Sequence, residues 1–362
     1  MLLMESLLIK SGQGNYTVNF FDDLCYIVAE LEKITNAVVF IDKNVASLYK
    51  SAFVKLTSTK PTLIIEATED EKTLKGVTRA LGFLKENKCN RQFVIIAIGG
   101  GVIQDITTFT AHIYYRGIRC IFVPTTLLSM CDSCIGAKCG INFEKLKNQL
   151  GVFHSPARIF IATKFLDTLP ETDIISGYGE ILKLLLTGSK ELYLDFKNVI
   201  CSSGFRNSYI EKLIYESLKV KQGVIEQDEY ETDLRRILNY GHSFGHALET
   251  VTNYEVSHGH AVAWGIDIVN YISVKNSWMT ESDYVDIHKL IEKYFSIKIS
   301  KDLNAKVLIE ASRSDKKVAD EKLNLAILKY PGCLEIVPVI FNEAIENTID
   351  EYLKISNVLY RN

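Results

Sequence analysis

The chain has 362 residues, 47% of them hydrophobic and 23% charged, with a formal net charge of −3. That length exceeds one ordinary core and predicts two domains, and the near-neutral balance gives no electrostatic footprint for nucleic acid. No run of about 18 uncharged apolar residues marks a membrane span, and Glu5 interrupts the opening MLLMESLLIK, so a cytoplasmic protein without a signal peptide, nucleic-acid partner or membrane partner is expected.

Along the chain, the first half alternates short apolar runs with helical patterns, the signature of a parallel α/β sheet. Residues 37–42 (AVVFID), 62–66 (TLIIE), 93–98 (FVIIAI) and 119–124 (RCIFVP) are β-branched or aromatic with little polar alternation, as strands buried on both faces should be. Gly99, Gly100 and Gly101 follow the third run and open a helical pattern, placing backbone N–H groups where a phosphate can approach a helix N-terminus. The triplet reads as a pyrophosphate cradle, although it is not GxGxxG and glycines also serve plain tight turns. Asp42 closes the first run and suits either a ribose contact or a helix N-cap. Cys131-Asp-Ser-Cys134 is a CxxC with no second copy, and the eight cysteines read as cytoplasmic thiols. From about residue 165 helical periodicity takes over, at 174–186, 211–225, 234–251 and 261–274, and strand-like runs return only near 324–328 and 335–340. The expected fold is a Rossmann-like, dinucleotide-binding α/β domain over residues 1–164 followed by a mainly α-helical domain over residues 165–362. No linker or repeat marks the boundary, so close packing around a cleft is expected.

Four of the seven histidines crowd into HSFGH (His242 and His246) and HGH (His258 and His260). His242 and His246 are four apart and share one face if the segment is helical, and His258 arrives from a later turn or helix start. Glu180, set among glycines in GYGEILK and three residues before Lys183, is the best carboxylate to complete a set. Two histidines and one glutamate with a position left open form a catalytic zinc pattern. Ordinary helix-terminal histidines are the bland alternative. HSFGH lacks the glutamate of HExxH, which disfavours peptide hydrolysis.

Together these motifs resemble the dehydroquinate synthase family of sugar phosphate cyclases. The resemblance runs from about Asp42 to about Lys317 through GGGVIQD, YYRGIRCIFVPTTLLSMCDSCIGAK, INFEKLKNQLG, FLDTLP, GYGEILK, the block from Lys221 to Glu249, SHGHAVAWG and SDKK, in that order. It implies NAD and a divalent metal, zinc or alternatively cobalt, bound between the two domains of a homodimer, with a place in aromatic amino-acid biosynthesis by the shikimate route. It further implies Glu180, His242 and His258 as metal ligands, leaving His246 off the metal as an acid-base residue beside the substrate. Lys138, Asn148 and Lys183 would hold the substrate phosphate, joined by Arg116 from a second subunit, since a buried dianion must be paired and hydrogen-bonded. Asp132 and Asn239 would hold substrate hydroxyls, and Lys221 and Arg235 a substrate carboxylate, with Lys316 and Lys317 adding positive charge. The NAD positions would be Asp42, Glu69, Lys72, Gly99, Gly100, Gly101, Asp105, Thr125, Thr126, Phe165 and Thr168. Lys147 either touches ligand or belongs to a solvated loop, Thr125 and Thr126 equally suit a helix cap, and Arg119 reads as a surface or interface residue.

The implied chemistry is oxidation of a secondary alcohol by NAD, β-elimination of phosphate, return of the hydride and aldol closure to a carbocycle, a net lyase reaction. Departures from the family pattern bear on the substrate. Gln104 and Ala137 stand where glycines are common and His260 where a glutamate is usual, and GAKCGINF and KNQLGVFH read more like relatives acting on sedoheptulose 7-phosphate. Asn239, His246, Arg235 and the SDKK lysines are kept, which favours an acidic substrate, 3-deoxy-arabino-heptulosonate 7-phosphate, giving 3-dehydroquinate. The rival readings are a metal- and NAD-dependent polyol dehydrogenase, against which the phosphate cluster counts, and a catalytically idle homologue.

Overall fold

The computed structural model describes residues 6–144, 146–297, 299, 303–314 and 322–356, so Lys316 and Lys317 lie outside the described residues. The chain divides into two compact units, Met1–Pro170 and Glu171–Asn362. The division falls a little beyond residue 164 because the short 3₁₀ turn Thr163–Thr168 is tied into the first unit. There the buried Phe165 ring stacks 6.2 Å from Phe53 and meets Tyr49 edge-on at 5.1 Å.

The first unit runs β1 (Leu7–Ile9), β2 (Tyr16–Phe20), α1 (Leu24–Glu32), β3 (Ala37–Asp42), α2 (Lys43–Leu48), α3 (Lys50–Thr59), β4 (Thr62–Ile65), α4 (Leu74–Glu86), β5 (Val94–Gly99), α5 (Gly101–Ile113), β6 (Arg119–Pro124), β7 (Lys138–Phe143), β8 (Leu146–Phe153) and β9 (Arg158–Ile161). Seven strands form one sheet in the order β1-β2-β9-β6-β5-β3-β4. Every pairing in it is parallel except the β1–β2 edge. The four apolar runs are β3 to β6, and β5 is buried at every residue, as a strand covered on both faces must be. Helices pack on the sheet through stripes such as Val77, Ala80 and Leu84 of α4, spaced three and four apart. α1 starts where Asp23 accepts the Cys25 N–H at 2.8 Å. The hairpin β7–β8 stands apart as its own antiparallel pair.

The second unit runs α6 (Glu171–Gly188), α7 (Lys190–Ser203), α8 (Ile210–Ile225), α9 (His242–Val251), α10 (His258–Lys275), α11 (Glu281–Tyr294), α12 (Ala305–Ser314), the hairpin β10 (Lys322–Tyr330) and β11 (Cys333–Ile340), and α13 (Glu343–Ile355). α10 is buried without interruption from Gly259 to Ser273 and is the central helix. It meets α6 where two glycines let backbones touch. A Cβ on Gly259 would lie 1.7 Å from the Ser176 carbonyl oxygen, and one on Gly179 would lie 2.1 Å from the Gly259 carbonyl oxygen. The periodic stretch 234–251 is not one helix. Gly241 takes a left-handed φ of 77°, ending a 3₁₀ turn (Leu234–Asn239) and letting α9 start afresh at His242. Among the described residues no helix is long and apolar enough to cross a membrane.

Candidate active site

The break at Gly241 sets His242 at the first residue of α9 and His246 one turn later, while α10 starts at His258 and α6 supplies Glu180 and Lys183. The spacing argument holds: the His242 ring centroid is 5.3 Å from that of His246 and 5.4 Å from that of His258, and His246 and His258 are 5.7 Å apart. Their ligand-capable nitrogens all lie within 4.8 Å of one another. Glu180 is almost wholly buried. Its Oε1 lies 3.0 Å from His258 Nε2 and 3.4 Å from His242 Nε2, and its Oε2 lies 2.5 Å from Lys183 Nζ.

The protonation states follow from these contacts. Burial alone would raise the Glu180 pKa, but Lys183 and the two imidazoles hold its carboxyl well below the usual range. Burial pushes His242 down to about 4, so this ring is neutral. The Tyr240 carbonyl, 3.2 Å from His242 Nδ1, can only accept, so the ring proton sits on Nδ1 and the Nε2 lone pair faces an ionised carboxylate oxygen. Two lone pairs so placed repel unless a cation lies between them. Imidazole nitrogen and carboxylate oxygen with that orientation fit a divalent metal of the zinc class. His258 is held between two carboxylates, with Nδ1 3.0 Å from Glu249 Oε2, and against the effect of burial these push it up to about 10. A metal held at His258 Nε2 would displace a proton, while Glu249 would keep the proton on Nδ1 and fix the ring. Glu249 is absent from the expected site, although 242, 246 and 249 at helical spacing share one face of α9 and signal it. The geometry admits His246 as a nitrogen donor too.

The second unit holds other expected groups as well. Lys221 of α8 and Arg235 of the 3₁₀ turn are both buried. Asn239 donates its amide Nδ2 to Glu231 Oε1 at 2.7 Å, which brings in a second carboxylate that residue spacing does not reveal. His260 is buried, with Nδ1 2.6 Å from Ser257 Oγ and its ring against Phe295, a structural arrangement at the start of α10.

The first unit holds the glycine triplet where expected, between β5 and α5. A Cβ on Gly99 would lie 2.3 Å from the Ile103 side chain and one on Gly100 2.9 Å from Thr126, whereas beside Gly101 the nearest atom is Ser133 Oγ at 3.8 Å. This is a tight turn with room at the helix N-terminus, and it fits a dinucleotide pyrophosphate. Next to it, Lys72 Nζ lies 3.2 Å from Asp105 Oδ2, 2.8 Å from Asn148 Oδ1 and 3.7 Å from Glu69 Oε1, so four expected residues form one cluster. Asn148, expected on phosphate, here accepts from Lys72. Lys147 lies half-buried beside it on β8, and Lys138 is exposed at the start of β7. Asp42 is an N-cap, its Oδ1 accepting the Asn44 N–H at 2.6 Å. Thr126 and Ser129 cap one another reciprocally at 3.2 Å, and Thr125 is buried beside them. Thr168 Oγ1 pairs with the Tyr49 hydroxyl at 2.8 Å. Asp132 sits in a short π turn (Ser129–Ser133), where the Cys131 thiol donates to the Leu128 carbonyl at 3.7 Å and the Cys134 thiol, just past the turn, to the Met130 carbonyl at 3.5 Å. Gln104 is buried and accepts from Ser133 Oγ at 3.2 Å. Ala137 has φ of 59°, so the residue standing in place of a glycine does occupy the left-handed region. Arg116 is exposed in a run of left-handed residues, Tyr115, Arg116 and Gly117, with φ of 52°, 66° and 116°.

Residues 62–176 match the family described as 3-dehydroquinate synthase N-terminal, and residues 177–318 match 3-dehydroquinate synthase C-terminal. The chain is 33% identical over 350 residues to the 3-dehydroquinate synthase of Alkaliphilus oremlandii (strain OhILAs), covering 95% of this chain and 96% of that protein. It is 36% identical over 323 residues to that of Campylobacter concisus (strain 13826), covering 88% and 90%. Its fold is that of a 2-deoxy-scyllo-inosose synthase solved with carbaglucose-6-phosphate, NAD+ and Co2+, with a TM-score of 0.85 at 24% identity over 96% of this chain and 99% of that one.

Proposed function

This chain belongs to the 3-dehydroquinate synthase family, and on that premise we propose that it converts 3-deoxy-arabino-heptulosonate 7-phosphate to 3-dehydroquinate and phosphate, as an NAD- and divalent-metal-dependent lyase. The observation that carries the reading is the convergence of neutral His242 and of His258 on one oxygen of buried Glu180. The solved relative with NAD+ and Co2+ supports the cofactor pair.

Glu180, His242 and His258 would hold the metal, and Gly99 to Gly101, with the Lys72, Asp105 and Glu69 cluster, would hold NAD. When bound, NAD supplies a reversible hydride acceptor and the metal a Lewis acid at a substrate hydroxyl. The chain's own residues do the rest. Asn239 and Asp132 orient hydroxyls, and Lys221 and Arg235 grip the carboxylate, for which a guanidinium is suited by its two-point fork. His246, off the metal, moves a proton at its ring nitrogen. Lys138, Asn148 and Lys183 are assigned to the phosphate, with exposed Arg116 serving the partner subunit of a homodimer. Lys183, ion-paired with Glu180, also neutralises a carboxylate that burial would otherwise protonate.

Phosphate release should be measured with NAD and Zn2+ on the heptulosonate phosphate, on sedoheptulose 7-phosphate and on simple polyols. We expect release from the first alone, with 3-dehydroquinate as product and no net NADH. Release from the neutral sugar alone would replace this reading with that of a neutral-sugar cyclase, and NADH accumulation on a polyol with that of a dehydrogenase.

A further inference from the structure

Between α8 and the 3₁₀ turn Leu234–Asn239 the chain makes a tight loop around one side chain. Asp228 follows α8, its own N–H donating to the Val224 carbonyl at 3.1 Å. Its Oδ1 accepts the Thr232 N–H at 2.9 Å and the Thr232 hydroxyl at 3.0 Å. Its Oδ2 accepts the Asp233 N–H at 2.8 Å and the Arg235 N–H at 2.9 Å. Burial would raise the pKa of this carboxyl, but the donors from Arg235, Asp233 and Thr232 outweigh that and hold it well below the ordinary aspartate value. Asp228 is therefore an anion over the whole working pH range.

Inside the loop so closed sits Glu231, a non-glycine residue in the left-handed region at φ of 59°. Such a conformation costs free energy and persists only where the surroundings over-determine it. Three backbone N–H groups tied to one carboxylate supply that constraint. The consequence is positional. Glu231 Oε1 is delivered to the Asn239 amide, and Arg235 folds its guanidinium back onto the Glu229 carbonyl of the same loop. Two turns downstream the chain enters Gly241 and His242.

We propose that Asp228 is a positioning residue: its carboxylate fixes the 229–235 loop so that Arg235 presents its guanidinium to the acid end of the substrate. Asp228 touches neither substrate nor metal and acts through the backbone of Arg235. The proposal rests on the assignment of Arg235 to the substrate carboxylate made above.

Asp228→Asn keeps the shape and removes the charge, and it turns an N–H donor toward donors. KM for the heptulosonate phosphate should rise about tenfold or more, the range for losing a hydrogen bond to a charged group, while kcat and the metal bound per chain change little. Combining it with Arg235→Ala should raise KM no further than Arg235→Ala alone, since the two act as one unit. Additive effects, or an unchanged KM in a folded Asp228→Asn protein, would overturn the proposal. A crystal structure of Asp228→Asn separates this from the functional reading. Glu231 should leave the left-handed region and the loop should shift, whatever substrate the wild type takes; an undisturbed loop rejects the positioning role, while failure of the wild type on the heptulosonate phosphate rejects only the function. If Asp228→Asn does not fold, Thr232→Val, which deletes the hydroxyl contact alone, should move KM in the same direction by less, and no change in KM would overturn the proposal.

Discussion

Glu180 has three basic neighbours, Lys183, His242 and His258, on its two oxygens, drawn from separate places in the sequence. The donors themselves are legible without a structure, because a helical period brings His242 and His246 to one face and the glycine-flanked Glu180 to its lysine. What spacing cannot show is how each ring is protonated. That depends on the Tyr240 carbonyl for His242 and on Glu249 for His258, contacts made across elements. Glu231 and Asp228 are hidden for the same reason, since acidic residues in a polar loop look solvated until the loop is seen to close on them. Glu249→Gln should leave the ring in place but weaken its hold on the Nδ1 proton, lowering metal affinity about 10- to 100-fold, as loss of an outer partner of a ligating histidine does. Competition with a chromogenic chelator measures this, and an unchanged affinity would remove Glu249 from the metal's support.

Strands with an apolar run announce themselves, and those carrying polar residues along a wet side do not. β3, β5 and β6 are continuous apolar runs and fall where the sequence places them. β7 and β8 carry lysine, asparagine and glutamine along half-exposed strands and pass for loop. The stretch 234–251 keeps an apolar period through Gly241, so periodicity alone joins what a single left-handed residue separates. The α6–α10 crossing is legible only as glycines. Gly259→Ala would put a methyl 1.7 Å from a backbone carbonyl oxygen that cannot swing away, costing at least the roughly 1–3 kcal/mol of ordinary overpacking. Forcing the helices apart there also separates Glu180 from His258. We expect a lower Tm together with loss of bound metal; wild-type values of both would mean that the backbone contact is not tight.

A second consequence at this scale concerns pH. His288 of α11 donates from Nδ1 to Asp267 Oδ2 on α10 at 2.8 Å, and the Tyr352 hydroxyl of α13 reaches the same oxygen at 2.7 Å. The Asp267 hydrogen bond raises the His288 pKa above its ordinary value. Folding is therefore favoured by protonation: the contribution is full below the unfolded-state pKa of about 6.5 and fades as pH rises through the higher folded value. The Tm gap between wild type and His288→Ala should be largest near pH 6 and shrink toward pH 9. A gap that grows with pH would contradict the pairing.

At the scale of the molecule, length foretells two units, and the order of the motif blocks foretells the family. Neither tells whether the phosphate is the business of one chain or two. Arg116, exposed on its left-handed turn, is the residue we assign to the partner. Mixing inactive Arg116→Ala with inactive Lys183→Ala subunits should restore partial activity, because one site in each heterodimer then has both cations; no recovery after verified subunit exchange would confine the site to a single chain. The central proposal is that Glu180, His242 and His258 form the metal site while His246 stays off the metal and moves a proton. Zinc per chain, measured after reconstitution and dialysis of the wild type, His258→Ala and His246→Ala, tests it most directly. The account predicts about one equivalent in the wild type and in His246→Ala, with the latter slowed roughly 10²–10⁴-fold in turnover, and little zinc in His258→Ala. Zinc kept by His258→Ala and lost by His246→Ala would contradict it.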